Sequence, residues 1–410
     1  MEYHIPERFD DSRPAVEYSH VDYGASITEH PLGSQVPSGS PSDEPAVVLD
    51  PYGLQSLMRP DDGPKEIGDY LYTDRPQLAL HIVSFTDATL VNLTWPHTLW
   101  DAMGRRELLL AWTAVLAGRE DDVAPAYEPD EHPLRGFADE PREEYKLLGM
   151  RLSLPQLLVF GFRYWLEGFW YSAEKSRVVC LPAAFMARLR AESAAEAKAA
   201  DPEGNGFLSD GDLISAWCAR QMAEHTPLGA GQTLCVTNAM GWRALLQPDV
   251  LEKGKAYLGN ATCLSYAHVK AGDIVSRPLG YTASAVRRSL REQATRPQLE
   301  AVAHLLAETY QATGNPPVFG NAGMKLMVVS NWSKGRFFDM DFSPAVVGGA
   351  GEGGVRPVYI QPCVFNKGFS TRNAFQVSGK DGAGNYWLSA TLRSEVWDAI
   401  ERSLSTTARG

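Results

Sequence analysis

The stretch ATLVNLTWPHTLWDAMGRRELLLAWTAVLAG, Ala88 to Gly118, changes its hydrophobic period part-way along. Val91, Leu93 and Trp95 alternate with Leu90, Asn92 and Thr94, the two-residue period of a strand. After Asp101, Leu108, Leu109, Trp112 and Leu116 recur every three to four residues, the period of a helix, and Gly118 suits a left-handed cap at its end. Just upstream, PQLALHIVSF alternates in the same way, and the short Thr86-Asp87 link predicts a hairpin. His97 therefore stands where a strand ends and a helix is about to begin, four residues before Asp101. Pro96 fixes the backbone ahead of it, so a side chain there is held firmly while staying reachable.

The rest of the chain bounds what that histidine could serve. At 410 residues there is enough chain for two domains of ordinary size. The net charge of -12, with no run of Lys or Arg, offers no footprint for a phosphate backbone, so nucleic acid is not an expected partner. Cys180, Cys218, Cys235, Cys263 and Cys363 lie far apart, with no CxxC pair and no zinc spacing, as small buried hydrophobes in a reducing compartment would. The first residues, MEYHIPERFDDSRP, carry no apolar core of a leader, and a cytoplasmic location is expected. The longest apolar stretch, Leu152 to Ser172, is broken by Pro155, Arg163 and Glu167. It reads as a packed helix or a substrate-facing lid rather than a membrane span.

From Met1 to about Lys65, Pro, Gly, Ser and Asp dominate and irregular connection is expected. The acidic segment DVAPAYEPDEHPLRGFADEP reads as a loop over the surface. A second organised region opens at SDGDLISAWCARQMAEH, with Ser209 as N-cap, Asp212 three residues later, and Leu213, Trp217 and Met222 facing a core. Strands are expected at QTLCVTNAM and ATCLSYAHV, helices around Ser284 to Glu292 and Gln298 to Tyr310, then strands at KLMVVSNW, FFDMDF, RPVYIQP, NAFQVSG and NYWLSATL, and a final helix SEVWDAIERSL. Interleaved helices and strands without strict βαβ alternation point to two α/β layered domains, divided as 1–200 and 201–410.

Motif by motif, little stands out. With nine histidines a lone HxxxD match is near what chance supplies, and a satisfied histidine at a strand end explains it equally well. No GxSxG, GxxxxGK[ST] or HExxH occurs, and GGAGEGG follows no strand-to-helix crossover, so it reads as a flexible loop.

An ordered set is more telling. His97-Thr98-Leu99-Trp100-Asp101, then Arg243, then Tyr257-Leu258-Gly259-Asn260, then Ser330-Asn331-Trp332 and Asp339-Met340-Asp341-Phe342 follow one another as in the BAHD acyltransferases. The chain resembles that family, in particular its fungal secondary-metabolism branch, from about Gln77 to Leu404. Ala102 stands where the family usually has Gly, Ser343-Pro344-Ala345 replace the end of DFGWG, and the segment before the histidine is shorter than the family's, with an early strand and helix unaccounted for.

The resemblance implies an α/β fold of two chloramphenicol-acetyltransferase-like domains, each a mixed sheet with flanking helices, and an active-site channel between them. It implies an acyl-CoA, in the first instance acetyl-CoA, as co-substrate, and a small-molecule alcohol or amine of secondary metabolism as acceptor. It further implies no resident metal or cofactor, no membrane span, and a monomer. Neutral imidazole can take a proton from an alcohol at neutral pH, so His97 is the implied general base. Trp332 N–H or the Ser330 hydroxyl are candidates to stabilise the oxyanion. Thiolate is a good leaving group, so the chemistry needs no metal. Asp101 is implied to point away from the imidazole and pair with Arg243, although a carboxylate in the first turn of a helix has its own reason to be there. Asp341 and Phe342 read as structural, while Tyr257, Gly259 and Asn260 could be an ordinary strand start or lie near the channel. A condensation-domain-like enzyme, or a non-catalytic relative that binds a metabolite or partner, are the competing readings.

Overall fold

The computed structural model describes residues 5–128, 130–200, 206–347, 354–365 and 371–407. In chain order its elements are β1 (Glu17–Asp22), β2 (Ala46–Leu49), α1 (Gln55–Met58), β3 (Ala79–Ser84), β4 (Thr89–Thr94), α2 (Ala102–Leu116), α3 (Leu154–Trp170), β5 (Glu174–Leu181), α4 (Ala183–Ala200) and α5 (Asp210–His225). There follow β6 (Thr233–Gly241), α6 (Arg243–Leu246), β7 (Thr262–Lys270), α7 (Ala271–Ser276), α8 (Leu279–Gln293), α9 (Arg296–Thr313), β8 (Lys325–Asn331), β9 (Ala374–Lys380), β10 (Tyr386–Arg393) and α10 (Ser394–Thr407).

Among the described residues the strands form two mixed sheets. The smaller has the order β1-β3-β4, with β1 parallel and β4 antiparallel to β3. The larger has the order β2-β5-β10-β9-β8-β6-β7. Alternation decides which face each large-sheet side chain joins. Val179 and Leu181, Leu234 and Val236, Met327 and Val329, Phe375 and Val377, and Leu388 and Ala390 turn to one side. There they pack under α4, α5, α8 and α10 with Leu213, Trp217, Val286 and Trp397. Each such buried side chain contributes about 1.5–3 kcal/mol of transfer free energy, so this face holds the main core. A second cluster gathers α9 (Leu299, Val302, Leu305) with Leu246, Tyr145 and Phe319.

The expected hairpin β3–β4 and helix α2 are present, and Gly118 takes a positive φ of 66° just beyond α2. Ser209 and Asp212 form the capping box that opens α5. Three expectations need correction. The first 65 residues hold two strands, not irregular chain alone: β1 pairs with β3, and β2 with β5 at the edge of the large sheet. FFDMDF and RPVYIQP are not strands. The first makes 3-10 turns around Arg336, whose φ is 51°, and Pro357 and Pro362 rob the second of ladder donors. The acidic loop is not purely superficial, because Tyr127, Leu134 and Phe137 pack half-buried against the second cluster. In α2 itself, Leu108, Leu109, Trp112 and Leu116 are half-buried and Gly104, Arg105, Thr113 and Ala114 are the buried positions, an arrangement the helical spacing alone does not address. Residues 348–353 of GGAGEGG lie outside the described residues.

Leu152 to Ser172 folds as α3, opened by a Ser153–Gln156 capping box, with Phe160 its buried residue. Its outer face leaves Leu158, Phe162, Trp165 and Phe169 exposed, the three rings stacked at 6.0 and 5.9 Å. Its inner face is pinned by Glu167 to Lys325 and Arg393. Among the described residues no helix is long and apolar enough to cross a membrane.

Candidate active site

Sheet topology brings the distant motifs to one place. β6 and β7 are antiparallel with Gly241 opposite Thr262, so Arg243, just after β6, and Asn260 and Ala261, just before β7, emerge from the same end of the sheet. β8 runs parallel to β6 on its other side, so Ser330 to Trp332 leave the sheet at that end too. The N-terminus of α2, with the His97 turn in front of it, meets all three exits.

Asp101 is the knot. It is 4% exposed and its two oxygens divide the work. Oδ1 accepts the backbone N–H groups of Met103 and Gly104, both at 2.9 Å, which caps α2. Oδ2 accepts Arg243 Nη1 at 3.0 Å and the Ala261 N–H at 2.9 Å. Helix cap and ion pair, two separate readings at the level of sequence, are one carboxylate. Burial pushes the Asp101 carboxyl up, and the bonds from Arg243 and Ala261 outweigh it, leaving it below the ordinary carboxylate range.

Arg243 spends its remaining donors on the YLGN segment, Nε on Tyr257 O at 3.1 Å and Nη2 on Gly259 O at 2.6 Å, with its charge 5.6 Å from the Tyr257 ring. Asn260 then reaches across to the histidine turn, donating Nδ2–H to the carbonyls of His97 at 2.9 Å and Thr98 at 3.3 Å. Tyr257, Gly259 and Asn260 are thus an irregular clamp ahead of β7, not the start of the strand. The fit is tight: a Cβ on Gly104 would stand 1.9 Å from the Leu258 carbonyl oxygen, so only glycine lets the first turn of α2 approach that backbone.

His97 itself is exposed, on a turn closed by the Leu99 N–H to Pro96 O bond of 2.9 Å, between buried Pro96 and Trp100. The hydrogen bonds of Asp101 go to α2, Arg243 and Ala261, not to the His97 imidazole. Across the junction, Trp332 donates its indole N–H to Ser330 Oγ at 2.9 Å. That N–H is committed, and Ser330, having accepted it, keeps its own O–H to donate. Asp341 and Phe342 stand apart. Asp341 is exposed and accepts the Ser343 N–H at 2.9 Å, while Phe342 meets Trp112, far along α2, edge to face at 5.7 Å.

Sequence reasoning passed over Arg105. One turn beyond Asp101, it has the spacing of an ordinary surface ion pair, yet it is 8% exposed and Asp101 is taken by Arg243. Its guanidinium lies 5.3 Å from the Trp95 ring, 4.4 Å from Trp332 and 4.2 Å from Phe337.

Comparison with known proteins gives the family. The model of the Transferase family matches residues 63–406. The chain is 39% identical over 418 residues to a Penicillium decumbens protein named transcriptional regulator CalD, covering 98% of this chain and 83% of that one. It is 37% identical over 424 residues to acetyltransferase AdrJ of Penicillium roqueforti, again covering 98% and 83%. Among solved structures, F. graminearum TRI101 complexed with coenzyme A and T-2 mycotoxin superposes with a TM-score of 0.64 at 14% identity, over 94% of this chain and 79% of that one. Motif order, fold and relatives agree: the chain belongs to the Transferase family of BAHD-type acyltransferases.

Proposed function

We propose that this protein transfers an acetyl group from acetyl-CoA to a hydroxyl of a fungal secondary metabolite, with His97 as general base. The observation that carries the reading is the set of partners that Asp101 holds. With both oxygens engaged by α2, Arg243 and Ala261, it fixes the turn and leaves the exposed imidazole free to meet a substrate. Asn260 holds the carbonyl of the same residue, so the ring is presented from a clamped backbone.

In the proposed reaction the imidazole removes the proton of the acceptor O–H as that oxygen attacks the thioester carbonyl. The carbonyl becomes a tetrahedral oxyanion, whose stabilisation we assign to the Ser330 O–H, left to donate because its oxygen accepts the Trp332 N–H. Collapse breaks the C–S bond, the CoA thiolate takes the proton from the imidazolium, and ester and free CoA leave. The acetyltransferase name of the AdrJ relative and the coenzyme A and T-2 mycotoxin held by TRI101 support donor and acceptor class. The name of CalD raises a regulatory role, but the net charge of -12 disfavours direct contact with a DNA backbone. The test is incubation with acetyl-CoA and a panel of hydroxylated terpenoids and polyketides, with mass detection of acetylated product. His97→Ala is expected to abolish product. Binding of a metabolite without turnover by any acyl-CoA would contradict the proposal.

A further inference from the structure

Arg105 is an anomaly in a well-packed site. Among the described residues it is a buried cation with no carboxylate against it, and Nε and Nη2 are sealed from solvent without a hydrogen-bond partner. Its neighbours are three rings. Two of them are placed symmetrically about the site: Trp95 is two residues before His97 on the exit of β4, and Trp332 is two residues after Ser330 on the exit of β8. Phe337 closes the third side and meets Trp332 edge to face at 6.5 Å.

Resting on the acetyl-transfer reading above, we infer that Arg105 is a positioning residue: stacked between Trp95 and Trp332, it locks together the two strand exits that carry the base and the oxyanion donor, and sets a fixed positive charge behind the Ser330–Trp332 pair. The two exits are more than two hundred residues apart in the chain, and no strand pairing joins β4 to β8 among the described residues. The guanidinium touches a ring from each exit, and in the neighbouring first turn of α2 Met103 lies beside Gly335. A cation on the indole face draws electron density toward itself, which strengthens the Nε1–H as a donor to Ser330 Oγ. Ser330 polarised in that way is the better donor to an oxyanion.

A residue kept only for packing would not be a charge. Burying an unpaired guanidinium lowers stability, and burial holds its pKa down to about 10. An unbranched apolar side chain of similar length should therefore fold at least as well. This separates positioning from structure. Arg105→Met is expected to keep or raise Tm, to hold the KM for acetyl-CoA within two-fold, and to lower kcat ten-fold or more. Arg105→Lys, which keeps the charge and loses the planar stack, should recover part of that kcat. The inference is overturned if Arg105→Met keeps kcat within two-fold of the parent, or if Tm and kcat fall together and Lys does no better than Met. His97→Ala is run alongside. If His97→Ala is inactive while Arg105→Met is fully active, only the Arg105 inference fails; if His97→Ala turns over normally, the reading beneath it fails and takes Arg105 with it.

Discussion

Asp101→Asn should be far more damaging than its near-identical shape suggests. Asn caps helices as well as Asp, so the Met103 and Gly104 N–H bonds can survive on the amide oxygen. The amide nitrogen then faces Arg243 Nη1 and the Ala261 N–H, donor against donor. A charge-assisted hydrogen bond is worth about 1.5–3 kcal/mol, and a buried N–H left unpaired costs about 1–3 kcal/mol more. Together they give about 2.5–6 kcal/mol, which brackets the ~3–5 kcal/mol expected for breaking a buried pair from one side. At ~2.1 cal/mol/K of unfolding entropy per residue, the 410-residue chain should lose about 3–7 °C in Tm, read by differential scanning fluorimetry. Arg243→Met removes the other half, and the double variant should fall by clearly less than the two singles added together. The pH dependence has a definite sign. Because the folded carboxyl sits below its ordinary value, its contribution is complete above the carboxylate range and fades as pH drops through the lowered value. The gap between parent and Asp101→Asn should thus be constant from about pH 5 to 8 and narrow below about pH 4. A Tm loss under about 1 °C, or strict additivity with Arg243→Met, would refute the account of Asp101 as the knot of the site.

Two further outcomes follow from packing. Gly104→Ala, which at a free helical position should stabilise by about 0.5–1 kcal/mol, should here destabilise by about 1–3 kcal/mol, because the new Cβ would stand 1.9 Å from Leu258 O. An unchanged or raised Tm would show that α2 and the YLGN segment are not in contact. Cys180, Cys218, Cys235 and Cys263 are buried, and burial pushes Cys180 and Cys263 up to about 11, Cys235 up to about 12, and Cys218 up as well. Native protein at pH 8 should show Ellman's reagent one fast thiol, Cys363, and the other four only after unfolding; two or more fast thiols would refute the buried placement.

Elements that bury one face through a clear period were legible in the sequence: the β3–β4 hairpin, α5 and β6 to β10 of the large sheet show in the alternation or three-to-four spacing of their apolar residues, whereas β5 went unread. β1 and β2 were not: β1 exposes most of its side chains, β2 is four half-buried residues with no alternation, and both lie among Pro and Ser. RPVYIQP alternates like a strand, but Pro357 and Pro362 remove the donors a ladder needs. At the site, residue types and order were visible, while the partition of labour was not. Asp101 draws its partners from its own helix and from residues 142 and 160 positions away, a geometry no spacing records. Arg105 hid behind a pattern typical of solvent-facing pairs, and only the rings that surround it mark it as different.

The central claim is that His97, free of Asp101, moves the proton. Its most direct test is single-turnover acetyl transfer by parent and His97→Ala with a hydroxylated acceptor and acetyl-CoA, alongside coenzyme A binding by calorimetry. The account predicts unchanged coenzyme A affinity in His97→Ala with the transfer rate reduced by about 10² to 10⁴. Transfer at the parental rate without the imidazole would contradict it.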